Sequence, residues 1–366
     1  MSPHQFDIQL VAIIVAASCA VPGTFLVLRR MSMMTDAISH SILLGIILAF
    51  FIIKDLSSPF LIIGAAASGV LAISLVEAVN RARLVKKDAS IAMVYPFLFS
   101  VAVILLSRYA QNVHIDTHSV LLGEIAFAPF NRLIFSGMDL GPESAYMMGS
   151  IFILSLVFIS LFYKELKVST FDETFASSMG FRPRLIHYLL MAIVSLTCVG
   201  AFDAVGSILV IALIVIPPCC AYLLTDSLFR MILLSVVFGV STAISGFWVA
   251  NWLDVNIAGS IASVCGVFFL GVFLLAPRRG LFGIMREKRK QRMNFAEASL
   301  LVSLYNQEED KAVKNHPDSR GMFRSVDFAS KVVEFLKQKG EIAVAGGKLF
   351  LTDKGRERAR MTMERR

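Results

Sequence analysis

The sequence predicts an all-α protein that crosses a membrane about eight or nine times and carries a small α+β tail. Of the 366 residues, 56% are hydrophobic and 17% are charged, and the mean hydropathy is +0.71. Long apolar runs follow one another up to about residue 280, and the composition then becomes polar and basic. Soluble globular chains carry about 25% charged residues, so residues 1–280 are predicted to form a transmembrane domain.

Individual spans are predicted from the apolar runs, because a helix needs about 20 residues to cross the hydrocarbon of a bilayer. The runs lie near residues 8–28, 37–53, 58–79, 90–107, 146–163, 185–201, 204–224, 228–250 and 258–276. Some of these runs are short, so both eight and nine spans remain open. Nine spans would place the amino end outside and the carboxyl end in the cytoplasm, and eight would place both ends in the cytoplasm.

Basic residues indicate which loops face the cytoplasm. Lys and Arg concentrate at Arg29–Arg30, in residues 80–88 and 164–185, and after Pro277. By the positive-inside rule these segments are cytoplasmic, which includes the carboxyl terminus. From Arg278 onward the chain has 21 Lys plus Arg and 12 Asp plus Glu, which is a net charge of +9. The whole chain has +8, so residues 1–277 carry −1. The excess positive charge therefore belongs to the tail.

Two polar residues interrupt the second apolar run, "RRMSMMTDAISHSILLG", at Asp36 and His40. Residues four apart project from nearly the same face of a helix. At about 1.5 Å per residue, His40 is predicted to lie about 15 Å beyond Arg30, near the middle of the hydrocarbon core. Exposing these side chains to lipid costs several kcal/mol, so their face is predicted to look into the helix bundle or a wet cavity.

The donor atoms of Asp36 and His40 suit a divalent transition metal. A carboxylate oxygen and an imidazole nitrogen are ligands of Mn²⁺, Fe²⁺ and Zn²⁺. Two ligands are few for a tight structural site but suit an ion that must also leave. A structural Asp–His hydrogen bond between two helices fits the same spacing, and the spacing alone does not separate these readings.

Three segments together resemble the permease subunits of ABC-type manganese, zinc and iron importers. The first is "LRRMSMMTDAISHSILLG", with Thr35 where that family commonly has glycine. The second is "FDETFASSMGFRPRLIHYLLM" (171–191), and the third is "FDAVGSILVIALIVIPPCCAYLL" (202–224). The resemblance covers most of residues 10–280 in the expected order.

This resemblance implies a type II-like ABC importer permease in the bacterial inner membrane, with Asp36 and His40 as ligands of the transported Mn²⁺, Zn²⁺ or Fe²⁺. It implies no permanently bound cofactor and no enzymatic activity in this chain. Since the sequence lacks G-x-x-x-x-G-K-[ST], a separate ATPase subunit is expected to hydrolyse ATP. The other implied partners are an extracytoplasmic metal-binding protein and a second permease subunit, as a homodimer or heterodimer.

A short cytoplasmic stretch is the candidate for coupling to the ATPase. Residues 170–183 contain Asp172, Glu173, Ala176 and Gly180. As an amphipathic helix ended by Gly180, the stretch would fit a groove of the ATPase and pass its motion to the spans. A plain connecting loop is the alternative.

Further polar residues on the predicted outward side could form a metal entrance. "NVHIDTH" contains His114, Asp116 and His118, while Glu124 and Asp203 lie near the ends of apolar runs. Solvated loops and interfacial carboxylates account for the same residues without any metal. On the seventh run, Pro217 and Pro218 predict a break or kink that would form a hinge or gate, or serve packing alone.

The tail is predicted to consist of a basic juxtamembrane linker (281–294) and a winged-helix-like domain (295–366). Helical periodicity, a Gly-Gly hairpin and a last charged helix predict this order, and "LTDKGRERA" resembles the wing-to-helix passage of diphtheria-toxin-repressor-like proteins. "FASKVVEFL" is too apolar for a DNA-recognition helix, so a docking or regulatory domain is favoured over nucleic-acid binding. The alternative functions are a membrane-tethered metal-responsive regulator and an intramembrane metal-dependent hydrolase, although no span contains H-E-x-x-H.

Overall fold

The chain forms two compact units in the computed structural model, a membrane unit (Met1–Ala276) and a tail unit (Pro277–Arg366). Sequence analysis had placed this boundary four residues later. The structure describes residues 3–54, 60–82, 85–109, 125–135, 138–277, 279–310, 326–345 and 348–364.

Helices dominate the described part of the membrane unit. They are α1 (Pro3–Leu28), α2 (Met34–Ile53), α3 (Phe60–Arg81), α4 (Lys87–Tyr109), α5 (Glu143–Leu161), α6 (Tyr163–Phe171), α7 (Glu173–Ser178), α8 (Pro183–Val205), α9 (Ser207–Leu224), α10 (Leu228–Leu253) and α11 (Ile257–Leu275). An antiparallel hairpin of β1 (Arg132–Phe135) and β2 (Met138–Pro142) precedes α5. Among the described residues, nine helices are long and apolar enough to cross a membrane, namely all except α6 and α7. The structure therefore supports nine spans, each within a few residues of its predicted bounds.

The first helix lies at the centre of the membrane unit. It contacts α5, α8, α9 and α10, and every residue from Val15 to Leu26 is buried. Small residues in this stretch, such as Ala16 and Ala20, let the surrounding helices approach closely. At the periphery, Val267 and Leu270 of α11 are exposed, as expected for a helix that faces lipid.

The helix with the predicted metal pair, α2, is held between α3 and α4, and it contacts both. At Gly45 of α2, an added Cβ would overlap the carbonyl oxygen of Gly64 in α3, so the two helices cross at backbone contact. Close by, the hydroxyl of Ser68 lies 2.8 Å from the carbonyl oxygen of Ser41, within hydrogen-bond distance. Small residues and interhelical hydrogen bonds are the usual means of joining helices in a membrane, and they hold α2 in place below the site.

The adjacent prolines do not interrupt their span, so the expected break does not occur, while the alternative of a kink stays a prediction. α9 remains helical through Pro217 and Pro218, and the chain leaves the helical conformation instead at Gly206, between α8 and α9. Gly206 has φ of +82°, a conformation that glycine adopts without the steric cost of a Cβ. Because proline has no N–H, the carbonyl oxygens of Leu213 and Ile214 receive no hydrogen bond from the residue four positions later.

The described residues of the tail unit form three helices and a hairpin in the order predicted from the sequence. They are α12 (Leu281–Asp310), α13 (Val326–Gln338), β3 (Ile342–Ala345), β4 (Lys348–Leu351) and α14 (Asp353–Glu364). The strands are antiparallel and pair Ile342 with Leu351 and Ala345 with Lys348. The predicted linker 281–294 is helical and forms the first half of α12, and its role as a linker stays a prediction. The winged-helix assignment stays a prediction.

Candidate functional site

Asp36 and His40 lie in the first two turns of α2. Residues 29–33 form turns and an irregular segment rather than helix, and Arg30 has a left-handed φ of 55°. The helix begins at Met34, so at about 1.5 Å per residue His40 lies about 9 Å from its start. The depth of about 15 Å predicted from Arg30 assumed a continuous helix through the turn, and the position of His40 in the membrane stays a prediction.

The two side chains face each other across one helical turn. His40 Nε2 lies 3.5 Å from Asp36 Oδ1, and the side chains are 39% and 44% exposed, respectively. Two ligands bound to one cation at about 2.1 Å in tetrahedral geometry lie about 3.4 Å apart. The observed separation therefore suits a shared cation without any rearrangement of the helix, and it is long for a direct hydrogen bond.

Aromatic residues of α4 orient the imidazole ring. The ring of Tyr95 stacks on His40 at 5.2 Å between centroids, and Phe99 meets it edge-on at 5.8 Å. Tyr95 and Phe99 were missed in the sequence analysis. Their spacing of four residues within one apolar run places both on one face of α4, which is the signal that could have found them.

The pair is incomplete as a metal site within the described chain. Among the residues that the structure describes, no group of three or more His, Cys, Asp and Glu side chains could hold a metal ion. The half-exposed face of Asp36 and His40 leaves room for further donors. The arrangement can therefore hold a cation weakly and reversibly, and additional ligands have to come from water, a partner or the remainder of the chain.

The predicted coupling residues form a short, capped helix. Asp172 caps α7, since its Oδ1 accepts a hydrogen bond of 2.8 Å from the backbone N–H of Phe175, and Glu173 is the first helical residue. Ala176 is buried. Gly180 has φ of +85° and terminates the helix, as left-handed glycines commonly do. The local structure thus agrees with the predicted helix ended by Gly180.

Large apolar side chains around α7 are exposed. Phe171, Phe175 and Met179 each have more than half of their surface accessible, although they flank a polar segment between two spans.

Most of the predicted entrance residues lie outside the described residues, namely His114, Asp116, His118 and Glu124. Asp203 is described and lies exposed in the last turn of α8. Its charge interacts with that of Glu143, the first residue of α5. Two carboxylates therefore lie near each other at this end of the membrane unit.

A polar cavity was missed in the sequence analysis. It has a volume of about 450 Å³ and contains a network formed by Arg29, Glu77, His187 and Tyr188. Glu77 and His187 each lie inside an apolar helix, where ionisable residues are rare and tend to be functional. The presence of Glu77 and His187 in otherwise apolar runs was the sequence signal that could have indicated this network.

The sequence match to a known family covers the membrane unit. Residues 5–276 match the ABC 3 transport family. The chain belongs to this family. As a member of the ABC 3 transport family it is a multi-pass membrane protein and a permease subunit of the metal ABC importer type.

Similar proteins in this family are named for metal transport. The chain is 44% identical over 279 residues to the manganese transport system membrane protein MntD of Bacillus subtilis, a match that covers 76% of this chain and 94% of MntD. It is 40% identical over 353 residues to the zinc transport system membrane protein TroD of Treponema pallidum, covering 95% of this chain and 96% of TroD. The tail is thus largely included in the match to TroD and largely absent from the match to MntD.

A solved structure of an ABC 3-like chain has the same fold. PsaBC from Streptococcus pneumoniae in complex with Fab contains a chain that superimposes with a TM-score of 0.62 and 30% sequence identity. The match covers 75% of this chain and 92% of that chain. The all-helical permease architecture predicted from the apolar runs is thereby confirmed.

Proposed function

We propose that the protein is the permease subunit of an ATP-driven importer of divalent transition metal ions, and that Asp36 and His40 bind the ion during its passage. The geometry of this pair carries the proposal, because one carboxylate and one imidazole are positioned to share a cation on a half-exposed helix face. The names of MntD and TroD favour manganese and zinc as substrates. Iron is favoured less, by the name of a Haemophilus influenzae relative at 29% identity, a probable iron transport system membrane protein.

A second permease subunit is proposed to cover the face that carries the pair. Asp36 and His40 are too exposed in the single chain to face hydrocarbon, since ionisable side chains at that depth cost several kcal/mol. A second copy, or a similar permease, would enclose the face and provide a wet path between the two subunits. It would also bring a second set of ligands to the ion.

The remaining partners are a separate ATPase and an extracytoplasmic metal-binding protein. The sequence has no phosphate-binding loop of the P-loop type, so ATP is hydrolysed by another subunit. We assign the docking surface for that subunit to Phe171, Phe175 and Met179 around α7, with the basic loops and the carboxyl terminus in the cytoplasm. The binding protein releases the ion on the opposite side.

In the proposed cycle, the released ion reaches Asp36 and His40, which hold it until closure of the ATPase changes access to the pore. The ligands bind a metal ion only when deprotonated. Transport therefore falls as the pH is lowered, because protons compete with the ion for the same atoms.

The test is uptake of radioactive Mn²⁺ and Zn²⁺ into vesicles that contain the permease, its ATPase and the binding protein. Replacing either ligand, as in Asp36→Asn or His40→Gln, should lower uptake by at least about tenfold at equal abundance of the assembled complex. The same substitutions at exposed positions, Asp254→Asn and His4→Gln, are the matched controls and should leave uptake unchanged. Wild-type uptake in both ligand variants would reduce the pair to a contact between helices, and competition between the ions identifies the preferred metal.

For the tail we propose a regulatory or docking role without DNA binding. The match to TroD includes most of the tail, and the names of MntD and TroD describe transport membrane proteins rather than hydrolases or regulators. Specific binding of an operator DNA by the full-length protein in a gel-shift assay would contradict this role.

A further inference from the structure

The polar cavity beside the coupling segment is lined by five parts of the membrane unit. Its lining includes Arg29 after α1, Met34 at the start of α2, Glu77 of α3, Ser169 of α6 and His187 of α8. The cavity therefore touches both the helix with the metal pair and the segment that leads into α7.

Arg29 makes the central contacts of this cavity. Its Nε donates a hydrogen bond of 3.2 Å to Thr170 Oγ1, its Nη2 donates one of 3.0 Å to Ser169 Oγ, and its Nη1 lies 3.0 Å from His187 Nδ1. Burial lowers the pKa of the Arg29 guanidinium from its usual range, whereas the charge of Glu173 opposes this shift. The guanidinium nevertheless stays charged, so the surrounding hydrogen bonds have to compensate for its lost water.

The contact with Arg29 determines the protonation of His187. A guanidinium has only donors, so Nδ1 of His187 accepts and its hydrogen lies on Nε2. That nitrogen is 2.6 Å from Glu77 Oε1, and the other carboxylate oxygen of Glu77 accepts a hydrogen bond of 2.6 Å from the Tyr188 hydroxyl. A neutral imidazole thus connects a buried cation to a carboxylate.

The positions of these residues along the chain connect the two elements that must communicate in transport. Ser169 and Thr170 lie three and two residues, respectively, before Asp172, which caps α7. Arg29 lies directly before the turn that leads into α2, seven residues before Asp36. The planar fork of a guanidinium holds several acceptors in one geometry, so movement of the segment around α7 displaces Arg29 and with it the start of α2.

We propose that Arg29, with His187 as its neutral acceptor, is a positioning residue that transmits movement of the coupling segment to the start of α2. This proposal rests on the proposed transport function and adds the route of coupling within the permease. It assigns no contact with the transported ion to either residue.

The test compares metal uptake with ATP hydrolysis in proteoliposomes that contain the complete importer with its binding protein. His187→Leu removes the contacts of the imidazole with Arg29 and Glu77, and Arg29→Lys keeps the charge but loses the planar fork. Both variants should lower the amount of metal transported per ATP by about tenfold, while ATP hydrolysis and complex assembly stay close to wild type. His187→Gln should retain coupling, because its carboxamide oxygen can accept from Arg29 and its amide nitrogen can donate to Glu77.

The matched control is Arg30→Lys, the same substitution at the exposed neighbouring residue, which should leave coupling unchanged. Wild-type coupling in both His187→Leu and Arg29→Lys would overturn the proposal. A parallel loss of uptake and ATP hydrolysis would also overturn it, since that result indicates a role in assembly. Absence of metal uptake by the wild-type complex would instead overturn the proposed transport function, and this proposal with it.

Discussion

At the residue scale, the surroundings of α2 determine what each polar side chain can do. His40 is oriented by Tyr95 and Phe99, so its Nε2 faces Asp36 rather than lipid. Thr35, the residue before Asp36, has a different environment from Asp36 and His40. It is fully buried, and its hydroxyl has no hydrogen-bond partner among the residues that the structure describes.

Replacing Thr35 by valine is expected to stabilise the protein. The two side chains have nearly the same shape, and a buried hydroxyl without a partner costs about 1–3 kcal/mol. In thermal unfolding of the purified protein in detergent, Thr35→Val should raise the midpoint by about 2 °C.

The matched control for this change is Thr24→Val. Thr24 is also fully buried, but its hydroxyl lies 2.9 Å from the carbonyl oxygen of Ala20 and 3.1 Å from the hydroxyl of Ser235. The same substitution there should lower the midpoint, since it removes a hydrogen bond. A midpoint that falls equally in both variants would mean that Thr35 has a partner after all.

At the scale of elements, the position of α9 against α1 depends on prolines and a glycine in combination. Pro218 leaves the carbonyl oxygen of Ile214 without a helical donor. Gly23 of α1 lies directly at this oxygen, where an added Cβ would overlap it. The prolines therefore create an open acceptor inside an intact helix, and α1 packs against it through a residue without a side chain.

Gly23→Ala is expected to destabilise the membrane unit. The overlapping atom belongs to the backbone, so the two helices have to move apart, at a cost of about 1–3 kcal/mol. Gly149→Ala in α5 is the control, because nothing lies within 4 Å of an added Cβ there. Thermal unfolding in detergent should show a lower midpoint for Gly23→Ala and an equal or higher one for Gly149→Ala. Equal midpoints in the two variants would show that α1 and α9 do not pack this closely.

At the scale of the whole molecule, the two units have separate cores that are built on different principles. The membrane unit has apolar clusters formed by its helices. The tail has its own apolar cluster together with two buried carboxylates, Glu297 and Glu341. Arg358 lies 3.2 Å from Glu297 and 2.6 Å from Glu341. These carboxylates raise the pKa of Arg358, so the guanidinium stays charged at physiological pH. Its ion pairs connect α14 to α12 and to the start of the hairpin.

Arg358→Met is expected to destabilise the tail alone. The change removes the cation that Glu341 and Glu297 share and leaves Glu297 with Lys339 at 3.3 Å, at a cost of about 2 kcal/mol. In hydrogen exchange of the full-length protein, peptides from α14 and the hairpin should exchange about 30-fold faster if the tail opens as one unit, while those from α1 to α11 stay unchanged.

The control for the tail is Arg356→Met. Arg356 pairs with the fully exposed Asp353 at 3.0 Å, and exposed pairs contribute at most about 1 kcal/mol. If the α14 and hairpin peptides exchange no faster in Arg358→Met than in Arg356→Met, Arg358 does not stabilise the tail as proposed.

The spans and the order of the tail elements could be predicted from the sequence, as could the shared helix face of Asp36 and His40. Apolar runs of membrane length and residues four apart on a helix are local patterns, which depend little on the rest of the fold. The same holds for Gly180, which was predicted to end α7.

Only the tertiary structure decided which residues surround these elements. The stacking of Tyr95 on His40, the network from Arg29 through His187 to Glu77, and the contact of Gly23 with α9 join residues from separate helices. Hydropathy is nearly the same on every face of such helices, so periodicity does not predict which faces meet. The connection between α1 and α2 was predicted from the gap between the apolar runs 8–28 and 37–53, but the left-handed conformation of Arg30 was not, because the sequence pattern does not specify the backbone angles there.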